Sequence, residues 1–252
     1  MSKPFVSVIV PYYNNSRTIE ETVESIIAQE EIGLEVIIID DNSQDYWLLK
    51  KIVARFEKSI RLIRLEENLG VAHARNVGIA AAKFDLLAFC DSDDLWEPNK
   101  LKKQIKYARQ GYLTCSEALY INNQSIVIGK SPEYKKEISL TRILKTNDII
   151  ASSVVLSKTI MGDRIFPNLR KRQDHALWID MVSSGIKVFK LSDPLIRYRV
   201  SNDSLSGNKW SAMSWSFFLL RRHLRFNFVK SLYFFLWYLV IGFRKQTRRH
   251  DN

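Results

Sequence analysis

The fold is decided by the stretch Leu87-Ala88-Phe89-Cys90-Asp91-Ser92-Asp93-Asp94, in which four apolar residues lead into three carboxylates. A short continuous apolar run is typical of a strand that is buried on both faces of a parallel sheet. Ligands of such sheets bind just beyond the carboxyl ends of the strands, so these carboxylates are expected at a ligand site. Clustered carboxylates repel one another unless a cation offsets their charge, and oxygen ligands suit Mn²⁺ or Mg²⁺. The alternative is an acidic turn in which Asp94 caps the following helix.

Composition places the chain among globular proteins. Of its 252 residues, 46% are hydrophobic and 26% are charged, which is enough to bury a core and excludes a disordered profile. The two cysteines, Cys90 and Cys115, have neither the number nor the spacing of a disulfide framework or a metal site. Because the N-terminal residues also lack the long apolar region of a signal peptide, we expect a reduced cytosolic protein with buried thiols.

The net charge of +11 is concentrated at the C-terminal end of the sequence. From residue 207 onward there are nine Lys and Arg residues against one Asp, together with twelve aromatic residues. The apolar run 232–243 is shorter than the roughly 20 residues that a membrane-spanning helix needs. Aromatic residues flanked by Lys and Arg favour an amphipathic helix that lies on an anionic membrane surface, and they argue against nucleic acid as the partner. A helix that packs on the domain, or a dimer contact, remains open.

The order of apolar and polar segments predicts two unlike halves. Apolar runs at 5–10, 34–39, 60–65 and 85–90 alternate with helical patterns at 18–29, 48–56, 71–82 and 98–108, which indicates a parallel α/β sheet in which Gly78 is a close-packing point. Beyond Gly111 we expect a hairpin of 113–121 with 125–128, strands at 149–156, 187–191 and 195–200, and a helix over 173–183. We predict a domain over 1–206, with halves 1–110 and 111–206, and a helical tail over 207–252.

Polar loops follow three of the predicted strands and converge at one edge of the sheet. They contain Tyr13, then Asp41, then the carboxylates that begin at Asp91. Neither a dinucleotide-binding glycine fingerprint nor a P-loop is present, so a bound diphosphate would need a metal and a basic side chain. Arg75 is the candidate for that side chain, although a solvated charge on a helix face remains the alternative.

Six segments together resemble the family 2 glycosyltransferases with a GT-A fold, over residues 4–207. The first half contains Val8-Ile9-Val10-Pro11-Tyr12-Tyr13-Asn14, Ile38-Ile39-Asp40-Asp41-Asn42-Ser43, Glu67-Asn68-Leu69-Gly70-Val71-Ala72-His73-Ala74-Arg75-Asn76 and Asp91-Ser92-Asp93-Asp94. The second half contains Gln173-Asp174-His175-Ala176-Leu177-Trp178, similar to the acceptor motif of that family, and Pro194-Leu195-Ile196-Arg197-Tyr198-Arg199 followed by Ser204-Leu205-Ser206. The resemblance implies a Rossmann-like, mainly parallel sheet with a mixed acceptor-binding half.

The resemblance also implies a donor site for a UDP-sugar. Its residues would be Pro11, Tyr13, Asp41, Arg75, Asn76, Asp91, Ser92 and Asp93. Asp41 would contact the nucleotide base, with Pro11 and Tyr13 beside the uracil. Asp91 and Asp93 would bind Mn²⁺ or Mg²⁺ together with the sugar diphosphate, and the metal would offset the charge that develops on the leaving UDP.

For the acceptor side, the resemblance implies that Asp174 is the catalytic base, with His175 and Trp178 at the acceptor. Asp174 would take the proton of the acceptor hydroxyl as that hydroxyl attacks the anomeric carbon, so that one displacement inverts configuration. Gln173 stands where many relatives have Glu, which leaves Asp174 as the one carboxylate of the motif. Without the motif, Asp174 would be read as a helix cap and Trp178 as a core aromatic.

The function implied is a bacterial hexosyltransferase of O-antigen or capsule assembly. It would move galactose, or else glucose, onto a polyprenyl-diphosphate-linked sugar, namely N-acetylglucosamine (GlcNAc) on undecaprenyl diphosphate, in a β-linkage. It would act as a peripheral protein at the cytoplasmic face of the inner membrane. The alternatives are a sugar nucleotidyltransferase, which would need a glycine-rich basic loop after the first strand, and a non-catalytic membrane-binding protein of the same fold.

Overall fold

The chain folds into one mixed sheet with helices on both faces. The structure, a computed structural model, describes residues 3–56, 60–132, 137–200 and 209–250. Its strands are β1 Phe5–Tyr12, β2 Gly33–Asp40, β3 Ile60–Arg64, β4 Leu86–Phe89, β5 Leu95–Trp96, β6 Leu113–Ile121, β7 Val127–Lys130, β8 Val155–Ser157 and β9 Val188–Arg199. Its helices are α1 Ile19–Ile27, α2 Tyr46–Val53, α3 Val71–Ala81, α4 Lys100–Ala108, α5 Leu140–Lys145, α6 Lys158–Met161, α7 Gln173–Ser183, α8 Lys209–Phe218 and α9 Phe228–His250.

The first four strands form the parallel part of the sheet, as the alternating pattern predicts. The strand order is β3-β2-β1-β4-β8-β6-β9-β5, with β7 paired to β6. β1 lies parallel between β2 and β4, and β2 pairs in parallel with β3. These strands are rich in Val and Ile because helices cover both faces of the sheet. Gly78 of α3 is a close-packing point, since a Cβ there would lie 2.4 Å from Ile9 Cγ2.

The second half continues the same sheet with mixed strand directions. β8 runs antiparallel to β4, β6 and β9 are parallel to each other, and β6 and β7 form the predicted hairpin. The predicted strand over 149–156 is wrong for most of its length. Ala151–Ser153 form a short 3₁₀ turn, in which the Ser153 hydroxyl donates to the Ile150 carbonyl at 2.7 Å. The two predicted strands over 187–200 are one strand, β9, whose register to β6 shifts near Pro194.

The C-terminal helices pack on the sheet domain. Leu219 and Leu220, in a π-helical segment Leu219–His223, and Phe234 of α9 are buried in the same apolar cluster as Phe89 and Trp178. The face of α9 that carries Phe234 therefore packs on the domain, which is one of the alternatives that the sequence left open for the tail. The opposite face remains exposed and apolar, and we call it the α9 stripe: Phe228, Val229, Leu232, Tyr233, Leu236, Trp237 and Val240. In the described part of the chain, no helix combines the length and the hydropathy needed to cross a membrane. The motif at 204–206 and the predicted boundary at 206/207 lie outside the described residues.

Candidate active site

Asp41, at the end of β2, holds the loop that precedes α3. Its two carboxylate oxygens accept hydrogen bonds from the backbone N–H groups of Leu69, at 2.9 Å, and Gly70, at 2.8 Å. Gly70 has a φ of +89°, a conformation that favours glycine, and α3 begins at the next residue. Asp41 therefore fixes the start of the helix that carries Arg75 and Asn76.

Arg75 pairs with the first carboxylate of the opening stretch. Its Nη2 donates to Asp91 Oδ1 at 2.5 Å, and the arginine side chain is 3% exposed whereas that of Asp91 is 31% exposed. The guanidinium carbon lies 5.1 Å from the ring centre of Phe166, against which the side chain packs. The Nε and Nη1 atoms of Arg75 are buried and have no hydrogen-bond partner among the described residues. Arg75 is thus not a solvated charge on a helix face, and it places a buried positive charge beside Asp91.

Asp91 and Asp93 form an electrostatically strained pair of carboxylates. Burial, and next the charge of Asp91, raise the pKa of Asp93 to about 6 from its usual 3.8. A divalent cation would relieve this repulsion, and two carboxylates are hard oxygen ligands, so the residues fit Mn²⁺ or Mg²⁺. Within the described ranges, no group of three or more His, Cys, Asp or Glu side chains could hold a metal by itself. Further ligands would be other oxygen atoms, such as backbone carbonyls, a bound substrate or water.

Asp94 is an internal link and not a helix cap. It is fully buried, and the helix that follows has Asn99 at its N-cap position. One carboxylate oxygen accepts the Ser152 hydroxyl at 2.5 Å, and the other accepts the backbone N–H of Arg199 at 2.9 Å. The Ser152 hydroxyl also accepts the backbone N–H of Asp91 at 3.0 Å. Asp94 thereby joins the end of β4 to the 151–153 turn and to β9.

The remaining predicted donor-site residues lie around this centre. Pro11 is buried in β1, and Tyr13 is half exposed just beyond it. Ser92 is buried, and its hydroxyl accepts the side-chain amide of Asn15 at 3.0 Å. The amide of Asn76 donates to the carbonyl of Phe166 at 2.9 Å and accepts its N–H at 2.8 Å. Both polar atoms of Asn76 are therefore committed to the segment that covers Arg75, so its role is to position that segment.

Asp174, in the first turn of α7, is joined to the donor side by one short segment. The side-chain amide of Asn147 donates to Asp174 Oδ2 at 3.3 Å. Five residues further along the chain, Ser152 contacts both Asp91 and Asp94. A segment of this length spans at most about 17 Å, which limits the distance between Asp174 and the paired carboxylates.

His175 and Trp178 are both buried, so their expected contact with an acceptor stays a prediction that this structure does not support by exposure. His175 is buried, its Nε2 lies 2.7 Å from the Ile143 carbonyl oxygen, and burial, followed by the charge of Arg172, lowers its pKa to about 4. Trp178 is fully buried, and its ring centre lies 5.7 Å from that of Phe166 and 6.3 Å from that of Phe89. Both side chains fix α7, and with it Asp174, on the sheet.

Three residues of the site were not predicted from the sequence. Ser152 lies in the stretch 149–156 that was expected to be a strand, and Asn147 lies two residues before it. Arg199 lies in a segment whose family resemblance was noted but whose residues had no assigned role. It is 5% exposed, and its guanidinium donates to the Asp93 carbonyl at 2.8 Å and to Glu21 at 3.2 Å. Its place in the segment Pro194-Leu195-Ile196-Arg197-Tyr198-Arg199, which resembles the family, was the available signal.

The mainly parallel sheet, with carboxylates at its strand ends and a mixed second half, is the architecture of a GT-A glycosyltransferase domain. Residues 7–164 match the family described as Glycosyl transferase family 2. The chain belongs to this family and is a glycosyltransferase, as the six segments predict. This finding favours transfer of a sugar over the nucleotidyltransferase alternative.

Relatives of similar length extend along nearly the whole chain. A Bacillus subtilis (strain 168) protein with the provisional name teichuronic acid biosynthesis glycosyltransferase TuaG is 34% identical over 97% of this chain and 98% of its own. The Escherichia coli protein WfgD, a UDP-Glc:alpha-D-GlcNAc-diphosphoundecaprenol beta-1,3-glucosyltransferase, is 32% identical over 100% of this chain and 99% of its own. The mannosyltransferase PcManGT of Pyrobaculum calidifontis, solved with GDP-Man and Mn²⁺, matches with a TM-score of 0.67 at 18% identity, over 90% of this chain and 66% of that chain. The last likeness supports the fold alone.

Proposed function

We propose that this protein transfers a hexose from a UDP-sugar to a lipid-linked acceptor, GlcNAc-diphosphoundecaprenol, and forms a β-linkage. The donor and acceptor in the name of WfgD, a relative along the full chain, support both choices. That name also favours glucose over galactose as the transferred sugar. The product would be a repeat-unit intermediate of a cell-surface polysaccharide such as O-antigen or capsule.

Asp91 and Asp93 would hold Mn²⁺ or Mg²⁺ in this proposal. When bound, the divalent ion supplies positive charge where negative charge develops on the departing diphosphate. Arg75 adds a second cation at the same place, because its guanidinium pairs with Asp91 at 2.5 Å. Its bond to Asp91 also orients that carboxylate.

The nucleotide would lie between Tyr13, which is half exposed, and the loop that Asp41 fixes. Pro11, which is buried near the end of β1, would lie beneath the nucleotide next to Tyr13. Asp41 acts mainly by holding the backbone of Leu69 and Gly70, since both of its carboxylate oxygens accept those N–H groups. Ser92, bonded to Asn15, keeps the acidic loop against α1.

Asp174 is the proposed catalytic base, and the segment 147–152 carries this assignment. Asn147, at one end of that segment, bonds to Asp174 Oδ2, while the Ser152 hydroxyl at the other end accepts the backbone N–H of Asp91 and donates to the Asp94 carboxylate. Oδ1 of Asp174 has no hydrogen-bond partner within the described ranges, so it remains available for the proton of the acceptor hydroxyl. Attack by that hydroxyl from the face opposite the diphosphate inverts the anomeric centre.

The tail would bring the enzyme to its lipid-linked acceptor. The α9 stripe is exposed and apolar, and basic residues such as Arg225 and Lys230 adjoin its N-terminal end. An apolar face with basic neighbours suits the interface of an anionic membrane. We therefore propose a peripheral protein at the cytoplasmic face of the inner membrane.

A turnover assay tests the assignment of the base. Release of UDP is measured from UDP-glucose and UDP-galactose with GlcNAc-diphosphate on an alkyl chain, with Mn²⁺ present. We expect Asp174→Asn to lower kcat by about 10²–10⁴-fold, which is the usual contribution of a general base. Asp93→Asn should lose comparable activity because it weakens the hold on the metal.

Asp180→Asn is the matched control, since Asp180 lies on the same helix and is exposed. It should retain wild-type turnover. Retention of more than about a tenth of wild-type kcat by Asp174→Asn would remove Asp174 as the base. Full activity of Asp93→Asn would contradict the metal assignment.

A further inference from the structure

Two cations of the sheet domain lie against aromatic rings of the tail. Lys145 Nζ is 4.1 Å from the ring centre of Trp237 and 5.6 Å from that of Tyr233. The guanidinium carbon of Arg172 is 5.1 Å from the ring centre of Tyr238, and its Nη2 donates to the Tyr238 hydroxyl. The domain thus supplies the charges of this cluster, and α9 supplies the rings.

Neither cation is neutralised by the protein as far as the structure describes it. Within the described ranges, no carboxylate lies within ion-pair distance of Lys145 or of Arg172. Other basic residues of the same region are paired, as Arg142 is with Asp148 at 2.6 Å. Each cation lies against a ring of α9, and the two rings Trp237 and Tyr238 are consecutive residues, so an anion bound at this part of the surface would be attracted by unpaired positive charge.

Each cation lies within two residues, along the chain, of the proposed base Asp174 or of its partner Asn147. Lys145 ends α5 and lies two residues before Asn147, which bonds to Asp174. Arg172 lies two residues before Asp174 and immediately precedes α7. An anion bound by either cation would therefore lie near the segments that carry Asn147 and Asp174.

We propose that Lys145 and Arg172 bind the diphosphate of the lipid-linked acceptor, with the rings of α9 forming the wall of that subsite. This inference rests on the proposed function, because it assumes an acceptor that carries a diphosphate. Lysine and arginine form their strongest hydrogen bonds with anionic oxygens, and a ring behind each cation holds it in place. Tyr233 and Trp237 also belong to the α9 stripe, so the lipid chain would continue from the diphosphate onto an apolar surface.

Phosphate groups could come from the acceptor or from membrane phospholipids. We favour the acceptor because both cations are partly buried, contact rings of α9 and lie within two residues of Asn147 or Asp174 in the chain, whereas phospholipid head groups would meet exposed charges. Arg225 and Lys230 are such charges, since both are exposed. If the phosphate belongs to the acceptor, removal of the cations should weaken binding of a diphosphate-bearing acceptor. If it belongs to phospholipids, their removal should weaken binding to membranes.

Equilibrium binding of two probes tests the proposal. One probe is GlcNAc-diphosphate on a single alkyl chain, and the other is the same alkyl GlcNAc without the diphosphate. We expect Lys145→Gln and Arg172→Gln each to weaken binding of the diphosphate probe about tenfold or more, the loss typical of a charged hydrogen bond. Binding of the neutral probe and of UDP should not change. Lys145→Arg and Arg172→Lys keep the charge and should restore most of the binding.

The control variant is Lys106→Gln, because Lys106 also lies over an aromatic ring, that of Tyr107, at 4.6 Å but on α4. It should bind both probes as the wild type does. Equal loss of both probes in the Lys145 and Arg172 variants would overturn the proposal, and so would failure of the charge-keeping variants to restore binding. Loss of binding to phosphatidylglycerol vesicles with unchanged diphosphate-probe affinity would assign the cations to the membrane and also overturn it.

The binding experiment does not depend on turnover. If the wild type binds the diphosphate probe through these cations yet transfers no sugar to it, the proposed function fails and the subsite stands. If the wild type transfers sugar equally well to both probes and the variants change neither rate, the subsite fails and the glycosyltransferase function stands.

Discussion

Replacement of Asp94 by alanine should destabilise the protein by about 2–4 kcal/mol. The change removes the acceptor of two buried donors, the Ser152 hydroxyl and the Arg199 N–H. Each buried donor that loses its partner costs about 1–3 kcal/mol. Part of this cost is offset, because burial and neighbouring carboxylates raise the pKa of Asp94 and so disfavour its charged form. The expected loss of about 2–4 kcal/mol is therefore smaller than the sum of the two costs.

Urea unfolding followed by circular dichroism measures this change in the free energy of unfolding. Asp85→Ala is the control, because Asp85 precedes the same strand but is exposed, and it should change stability by less than about 0.5 kcal/mol. If Asp94→Ala is as stable as this control, the internal-link role is refuted. Loss of activity without loss of stability would instead point to a metal ligand.

The pH dependence of Asp94→Asn provides a second test of the same reasoning. The folded state holds the proton of Asp94 more tightly than the unfolded state, in which the pKa is near 3.8. The contribution of this group to stability is therefore complete below about pH 3.8 and is lost as the pH rises through the raised folded pKa. Asn is neutral throughout, so the variant should gain stability relative to the wild type as the pH rises from about 3.8 to the raised folded pKa. A constant difference across that range would contradict the raised pKa.

Three further predictions concern the acceptor side. Trp178→Ala should lower the free energy of unfolding by about 3–5 kcal/mol, measured in urea, because the ring is fully buried; a change of less than about 1 kcal/mol would contradict its placement in the core. The pKa of His175 is lowered from 6.5 to about 4, so wild-type stability should fall by up to about 3 kcal/mol as the pH drops through that window, and His175→Gln should abolish this part of the pH dependence. Asn147→Ala should lower kcat about fivefold with an unchanged KM for the donor, because it removes one long hydrogen bond to Asp174, and Asn123→Ala in an exposed loop should leave both constants unchanged.

The parallel half of the fold was predictable because its signals are local. Each apolar run is short, is followed by a polar loop, and alternates with a helical pattern, and parallel strands with helical crossovers place all such loops at one edge. The approach of Asp41 and Asp91 to the α3 helix that carries Arg75 follows from that rule. The hydrogen-bond partners of these carboxylates do not follow from that rule. The sequence did not predict that the backbone N–H groups of Leu69 and Gly70 donate to Asp41.

The acceptor half was harder to predict because its contacts join distant parts of the chain. The stretch 149–156 has the composition of a strand, but Ser152 bonds to Asp94, 58 residues away, and Ser153 closes a turn. Trp178 and His175 match a functional motif in sequence and yet are buried. Whether a side chain in a motif faces the substrate or the core depends on what packs against its helix, and sequence spacing does not contain that information.

The sequence by itself determined the class of fold, the family, and the set of carboxylates and basic residues at the strand ends, because periodicity and motif order are properties of neighbouring residues. Only the tertiary structure decided that Asp94 is an internal link and that one face of α9 packs on the domain. It alone brought Arg172 to Tyr238, 66 residues later, and Lys145 to Trp237. Such pairs form because the C-terminal helix folds back on the sheet domain, and this burial is a cooperative outcome of the whole chain.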